Sequence, residues 1–154
     1  MTKVFIAGIM QASRSDRFIE SQNYRQQITA VLQEQIPQVD IIDPFATNPN
    51  SVDYNDQQAE FTFISNTRKA SQVDFLIAYL PVASLGTAME MWQAYEAGVT
   101  ILTVSPLQHH WAIKFTSDEV FPDLESLFDA IRNGRWQNWI HDKAERIEKR
   151  KQIG

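Results

Sequence analysis

The sequence from Asp74 to Gly98, Asp-Phe-Leu-Ile-Ala-Tyr-Leu-Pro-Val-Ala-Ser-Leu-Gly-Thr-Ala-Met-Glu-Met-Trp-Gln-Ala-Tyr-Glu-Ala-Gly, reads as a strand, a tight loop and a helix. Phe75 to Leu80 form a continuous apolar run of strand length, as expected for a parallel strand covered on both faces. Pro81 ends it, because proline has no N–H for the ladder. Ser84 is placed to cap a helix, and Gly98 to close it in the left-handed conformation. Helix N-termini that follow parallel strands are where anionic ligands bind in open α/β sheets. The functional centre is therefore expected here.

The rest of the chain repeats the same alternation. Lys3 to Gly8 is a short apolar strand, followed by a polar loop from Ile9 to Arg17. Tyr24, Ile28, Val31, Leu32 and Ile36 recur at helical spacing, and Pro37 stops that helix. Val39 to Ile42 is a second strand, and residues 44–56 form a long loop by their turn chemistry. Gln57 to Gln72 reads as a helix with Phe61, Ile64 and Arg68 inward, and Val99 to Val104 as another strand. Beyond it, His109 to Phe115 is one or two helical turns, Val120-Phe121 a short edge strand, and Leu124 to Arg132 a helix ended by Gly134. Residues 135–154 read as one charged amphipathic helix with Trp136, Ile140 and Ile147 on one side.

Strands separated by helices imply βαβ units and a parallel sheet. The expected fold is a single-domain, three-layer αβα (Rossmann-like) arrangement spanning residues 1–154, with about five strands in flavodoxin-like order. The carboxyl ends of the strands then share one edge. That edge gathers Gly8, Asp43, Ser84 with Gly86, and Ser105.

Composition narrows the function. The chain has 154 residues, enough for one domain with a proper core, and its net charge of −5 gives no general attraction to nucleic acid or anionic membranes. It has no cysteine, which excludes disulfides, thiolate metal sites and cysteine nucleophiles. No apolar run reaches membrane-spanning length, and no signal-peptide pattern opens the sequence, so a cytoplasmic location is expected. His109-His110 suggests a metal site only superficially: adjacent histidines point apart in regular structure, and no supporting ligand spacing appears. No metal and no cofactor is expected.

Several residues on the shared edge carry possible chemistry. Helical spacing puts Ala88, Met91, Trp92 and Tyr95 on the core stripe and Glu90 off it, which suits a solvated glutamate. Gly86, Ala94 and Ala97 share its side, however, so a ligand can approach closely. A carboxylate near a helix N-terminus is expected to stay ionised, ready to attack or support a glycosyl carbon of oxocarbenium character. Ser84 and Gly86 serve as cap and tight turn, and equally as hydroxyl and bare N–H groups for a phosphate or sugar. Arg14 and Arg17 are solvated arginines or, for a phosphorylated substrate, partners of its phosphate, with Arg14 the natural bidentate one. Tyr24 either packs in the core or points its hydroxyl into the cleft. Asp43 either caps the following turn or presents a carboxylate at the edge.

Ala83-Ser-Leu-Gly-Thr-Ala-Met-Glu90, after a strand opened by Asp74, resembles the nucleoside 2-deoxyribosyltransferase superfamily, and more closely its 2′-deoxynucleoside 5′-monophosphate N-glycosidases. Ala7-Gly-Ile-Met-Gln-Ala-Ser-Arg14 is similar to the opening of that family, with Tyr24 in a matching place. The resemblance covers roughly residues 3 to 105. It implies Glu90 as nucleophile, forming a deoxyribosyl ester, and Gly8, Ile9, Arg14, Ser84 and Gly86 as contacts to sugar or 5′-phosphate, with Tyr24 nearby. It also implies a small nucleoside or nucleotide as partner and a homodimer or higher oligomer, for which the final helix offers a surface. One departure stands out. The family's second carboxylate falls at Asn66, and an amide cannot act as an acid at neutral pH. Asp43, Asp53, Asp56 or Glu60 then takes that task, or the leaving group differs, or the protein is a nucleotide-sensing domain without turnover. A third reading is glycosyl cleavage of a nicotinamide or cytokinin-type nucleotide.

Overall fold

Five parallel strands, in the order β2-β1-β3-β4-β5, form the middle layer of the protein. They are β1 (Lys3–Gly8), β2 (Asp40–Ile42), β3 (Phe75–Tyr79), β4 (Thr100–Val104) and β5 (Glu119–Phe121). The computed structural model describes residues 1–10, 21–141 and 143–154. The helices are α1 (Asn23–Gln35), α2 (Pro44–Thr47), α3 (Asp56–Lys69), α4 (Leu85–Glu96), α5 (Trp111–Thr116), α6 (Leu124–Arg132), α7 (Trp136–Trp139) and α8 (Lys143–Lys151). On one side of the sheet α1 packs with α6; α4 packs with α3 and α5. This is the three-layer, flavodoxin-like arrangement expected from the alternation of strands and helices.

The central strands are apolar because both faces are covered. Phe75, Leu76 and Ile77 of β3 have no exposed surface, and burying each stabilises the fold by about 1.5–3 kcal/mol. β3 pairs with β1 through Val4↔Phe75 to Gly8↔Tyr79 and with β4 through Phe75↔Thr100 to Tyr79↔Val104. The register aligns the carboxyl ends of the three strands.

Three details differ from the sequence reading. First, the 44–56 segment is partly ordered as helix: Asp43 caps α2, and Ser51–Asp53 forms a 3₁₀ turn. Second, Phe61 and Ile64 do not face inward but are 76% and 39% exposed, while Asn66, Thr67 and Ala70 are buried. The first half of α3 stands over a cavity, and only its last turns are buried, so apolar content there does not mark the core. Third, the final segment is two helices. Trp139 of α7 is buried edge-on against Phe75 and Phe121, at 5.8 and 6.4 Å between ring centroids.

Helix α8 folds back onto its own chain. Arg150 donates to the carbonyls of Tyr95 and Val99 and pairs with Asp118 at 3.0 Å; Arg146 donates to the carbonyls of Gly98 and His141. Its inner face is thus occupied within the chain. Gly98 makes this docking possible. It has φ +72°, and a Cβ there would lie 2.5 Å from Ile147 Cγ1 and 2.8 Å from the Lys143 carbonyl. Gly98→Ala is expected to cost about 1–3 kcal/mol through backbone strain and displacement of α8. Gly134→Ala, at φ +77° with open space around it, should lose less. Thermal melts of the two variants check this, and equal losses would show that α8 docking adds nothing.

Candidate active site

A cavity of about 500 Å³ opens at the carboxyl edge of the sheet. Its floor is built by Gly8 at the end of β1 and by Arg25; its walls come from the 44–54 segment, α3 and α4. Helical phase explains which side chains face it. Ala59, Thr62, Phe63 and Asn66 recur every three or four residues on α3, and Gly86 and Glu90 lie one turn apart on α4.

On α4 the buried stripe is Thr87, Met91 and Ala94, so Met91 lies as expected and Tyr95 packs partly buried against the core, while Ala88 and Trp92 are exposed. Trp92 is stacked on Tyr95 at 5.3 Å between ring centroids. Glu90 is neither in that stripe nor on the solvated face; it is half-buried in the cavity wall. Ser84 caps α4, accepting the Thr87 N–H at 3.4 Å, and it also lines the cavity. Gly86 lies within the first turn of α4, where an added Cβ would meet only Phe63 Cε2 at an ordinary 3.7 Å. The fold does not require a glycine there. Its missing side chain leaves the cavity open beside Ser84.

The first strand ends in a tightly bonded group. Arg25 Nη1 donates to the Ile6 carbonyl at 2.8 Å and to Asp43 Oδ1 at 3.0 Å; Nη2 donates to the Gly8 carbonyl at 3.4 Å. Its Nε donates to Gln22 Oε1 at 2.6 Å. Asp43 Oδ1 also accepts the Phe45 N–H at 3.0 Å, so it is both the cap of α2 and the partner of a buried cation. Tyr24 is a core residue: its ring lies 4.3 Å from that of Tyr79, and its hydroxyl donates to the Ile9 carbonyl at 3.0 Å. A Cβ on residue 8 would approach the Tyr24 oxygen to 2.5 Å, so Gly8 is required by Tyr24. The Ile9 carbonyl also accepts from Gln22, and its N–H donates to Tyr79. Both backbone groups of Ile9 thus serve the fold.

The cavity therefore brings together Gly8, Asn66, Ser84, Gly86 and Glu90 among the residues expected from sequence, with Asp43 behind Arg25. Arg14 and Arg17 lie outside the described residues. Asp53, Asp56 and Glu60 are exposed and do not line the cavity. Of the lining residues that were not anticipated, Arg25 and Tyr54 are the two with ionisable side chains. Arg25 shares the inward phase of Ile28 and Leu32, a pattern in which a cation signals a buried partner. Tyr54 follows the 3₁₀ turn, and its hydroxyl donates to Asn48 Oδ1 at 3.2 Å.

Glu90 is the only carboxylate lining the cavity among the described residues. Burial raises its pKa to about 8, and the Arg25 charge opposes part of that rise. The expectation that the helix N-terminus keeps it ionised does not hold, because Glu90 is on the second turn and desolvation outweighs a dipole that fades within the first. Burial likewise raises the Tyr24 phenol above its ordinary range. A carboxylate with a raised pKa in the folded state stabilises most below its unfolded pKa, and that stability is lost as pH rises through about 8. Glu90→Gln, which stays neutral, should melt progressively higher than wild type as pH rises from 5 to about 8, with the gap constant beyond. Melting curves between pH 5 and 9 test this, and a pH-independent gap would show that Glu90 is not held protonated.

No protein-family model matches the chain, and no curated protein matches it in sequence. Solved structures do. The 2-deoxyribosyltransferase of the psychrotolerant bacterium Bacillus psychrosaccharolyticus superposes with a TM-score of 0.63 at 18% identity, over 86% of this chain and 91% of that one. A conserved protein from Enterococcus faecalis V583 superposes with a TM-score of 0.59 at 19% identity, over 86% of this chain and 98% of that one. The chain has the fold of these proteins.

Proposed function

We propose that this chain, built on the 2-deoxyribosyltransferase fold, belongs to the nucleoside 2-deoxyribosyltransferase-like superfamily and cleaves or transfers the N-glycosidic bond of a 2′-deoxynucleoside or its 5′-monophosphate. The observation that carries this reading is the position of Glu90, the one carboxylate lining the cavity among the described residues, on the second turn of α4 beside the capping Ser84 and an open Gly86. In its ionised form Glu90 attacks C1′, forming an ester bond as the C1′–N bond breaks and the base leaves with the bonding electrons. Water or a second base then displaces Glu90 from C1′. Ser84 and the free N–H groups at the start of α4 suit a sugar hydroxyl or phosphate. Asn66, across the cavity, can hold the base by hydrogen bonds but cannot protonate it. The proton for the departing base comes from solvent or from the Tyr54 hydroxyl.

A second reading, a nucleotide-binding domain without turnover, is favoured by Asn66 and by the tendency of the empty cavity to keep Glu90 protonated near neutral pH. Liberation of free base from a panel of deoxynucleosides and their 5′-monophosphates separates the two. Wild type should release base at a rate that rises with pH through about 8, while Glu90→Ala should lose about 10³-fold or more. Asn66→Asp, which supplies an acid but also adds a like charge across from Glu90, should speed release by less than the roughly 10²-fold that a positioned acid contributes. Binding without release by folded wild-type protein would establish the second reading.

Leu85, Met89 and Trp92 of α4 are exposed apolar residues that recur at i, i+4 and i+7 and so share one face of the helix. They support a homodimer or higher oligomer formed through this face. Sedimentation should give at least twice the mass of 17.7 kDa, falling toward one chain in Leu85→Glu; a wild-type monomer at micromolar concentration would rule the oligomer out.

A further inference from the structure

Arg25 is the one cationic side chain lining the cavity among the described residues, yet it is 3% exposed. It cannot swing to follow a ligand: the Ile6 and Gly8 carbonyls, Gln22 and Asp43 each accept a hydrogen bond from it. A fixed guanidinium in a poorly hydrated wall exerts its field on whatever charge forms nearby. Among the described residues, the other titratable groups around Glu90 are Tyr24 from α1, Tyr54 on the opposite wall, and Asp43 behind Arg25; α3 contributes Thr62, Phe63 and Asn66, none of them charged. Arg25 is accordingly the charge that opposes the effect of burial on Glu90. Asp43 lies 3.0 Å from Nη1 and offsets part of the Arg25 field.

We propose that Arg25 is a positioning residue: a buried cation held by four acceptors in the wall of the cavity that Glu90 also lines, whose fixed charge, moderated by Asp43, favours the nucleophilic form of that carboxylate. The pair then acts as one electrostatic device: Arg25 favours the nucleophilic form and Asp43 limits how far. The catalytic meaning of this device rests on the N-glycosidic reading, whereas its electrostatic content does not. A purely architectural clamp is the rival explanation, since the same bonds tie β1 to β2.

The two accounts separate because Arg25→Gln and Asp43→Asn break the same ion pair but change the field at Glu90 in opposite senses. Carbon-detected NMR titration of the Glu90 carboxyl in the full chain measures this directly. Arg25→Gln should move the midpoint up by about one unit or more, and Asp43→Asn should move it down by a smaller amount. Arg25→Lys, which keeps the charge, should stay nearer wild type than Arg25→Gln. Movement of Arg25→Gln and Asp43→Asn in the same direction, or of neither, overturns the proposal. Asp43→Asn keeps an acceptor for Arg25 and for the Phe45 N–H, so it decides alone if Arg25→Gln does not fold: a downward midpoint supports the proposal, and an upward or unchanged one overturns it. Opposed shifts without base release would remove the enzyme reading and leave this device standing. Base release with stationary midpoints would do the reverse.

Discussion

The structure turns on a buried cation. Arg25 sits at the start of α1, under the carboxyl end of β1, and binds two β1 carbonyls and the carboxylate that follows β2. A desolvated guanidinium is tolerable only if it is paired and its donors are satisfied, and removing one partner of such a pair costs about 3–5 kcal/mol. That is a large part of the roughly 5–15 kcal/mol that holds a domain together. The consequence reaches the cavity. The Asp43 oxygen that receives Arg25 also caps α2, and α2 begins the segment carrying Asn48, Ser51 and Tyr54. One ion pair therefore fixes the sheet edge, the entry of α1 and the wall opposite α4.

Much of the architecture was legible in the sequence because the sheet is parallel and covered. Runs such as Val4 to Ala7 and Phe75 to Ala78 are apolar throughout, and Ile101 to Val104 is interrupted only by the buried Thr103, which is the pattern of strands buried on both faces. Right-handed crossovers then leave few strand orders. The helices were harder. Periodicity reports which side of a helix is apolar, not what that side meets. On α3 the apolar Phe61 and Ile64 face solvent while Asn66 is buried, because half of the helix roofs a cavity. On α4 the large aromatic residues suggested a core stripe, yet small Thr87 and Ala94 let the helix approach the sheet and Trp92 remains outside.

The site divided along similar lines. Ser84, Gly86 and Glu90 were legible because strand, loop and helix are contiguous, so their mutual placement follows from local geometry. Arg25 was not, because its role depends on Asp43, eighteen residues away across a strand crossover. Tyr24 allowed two placements in the sequence; the stacking on Tyr79 and the bond to Ile9 resolve it as core.

Asn66 and the burial of Glu90 belong to one electrostatic problem. A second carboxylate across a cavity of this size would add a like charge to a group that desolvation already keeps neutral, pushing ionisation further out of reach. An uncharged amide at residue 66 removes that conflict and leaves Arg25 as the main influence opposing burial. Among the described residues, the same choice leaves the departing base without a second carboxylic acid on the cavity wall. A site arranged this way favours formation of the nucleophile over assistance to the leaving group. It therefore suits substrates whose base departs readily, and for a poor leaving group it would act as a binding pocket.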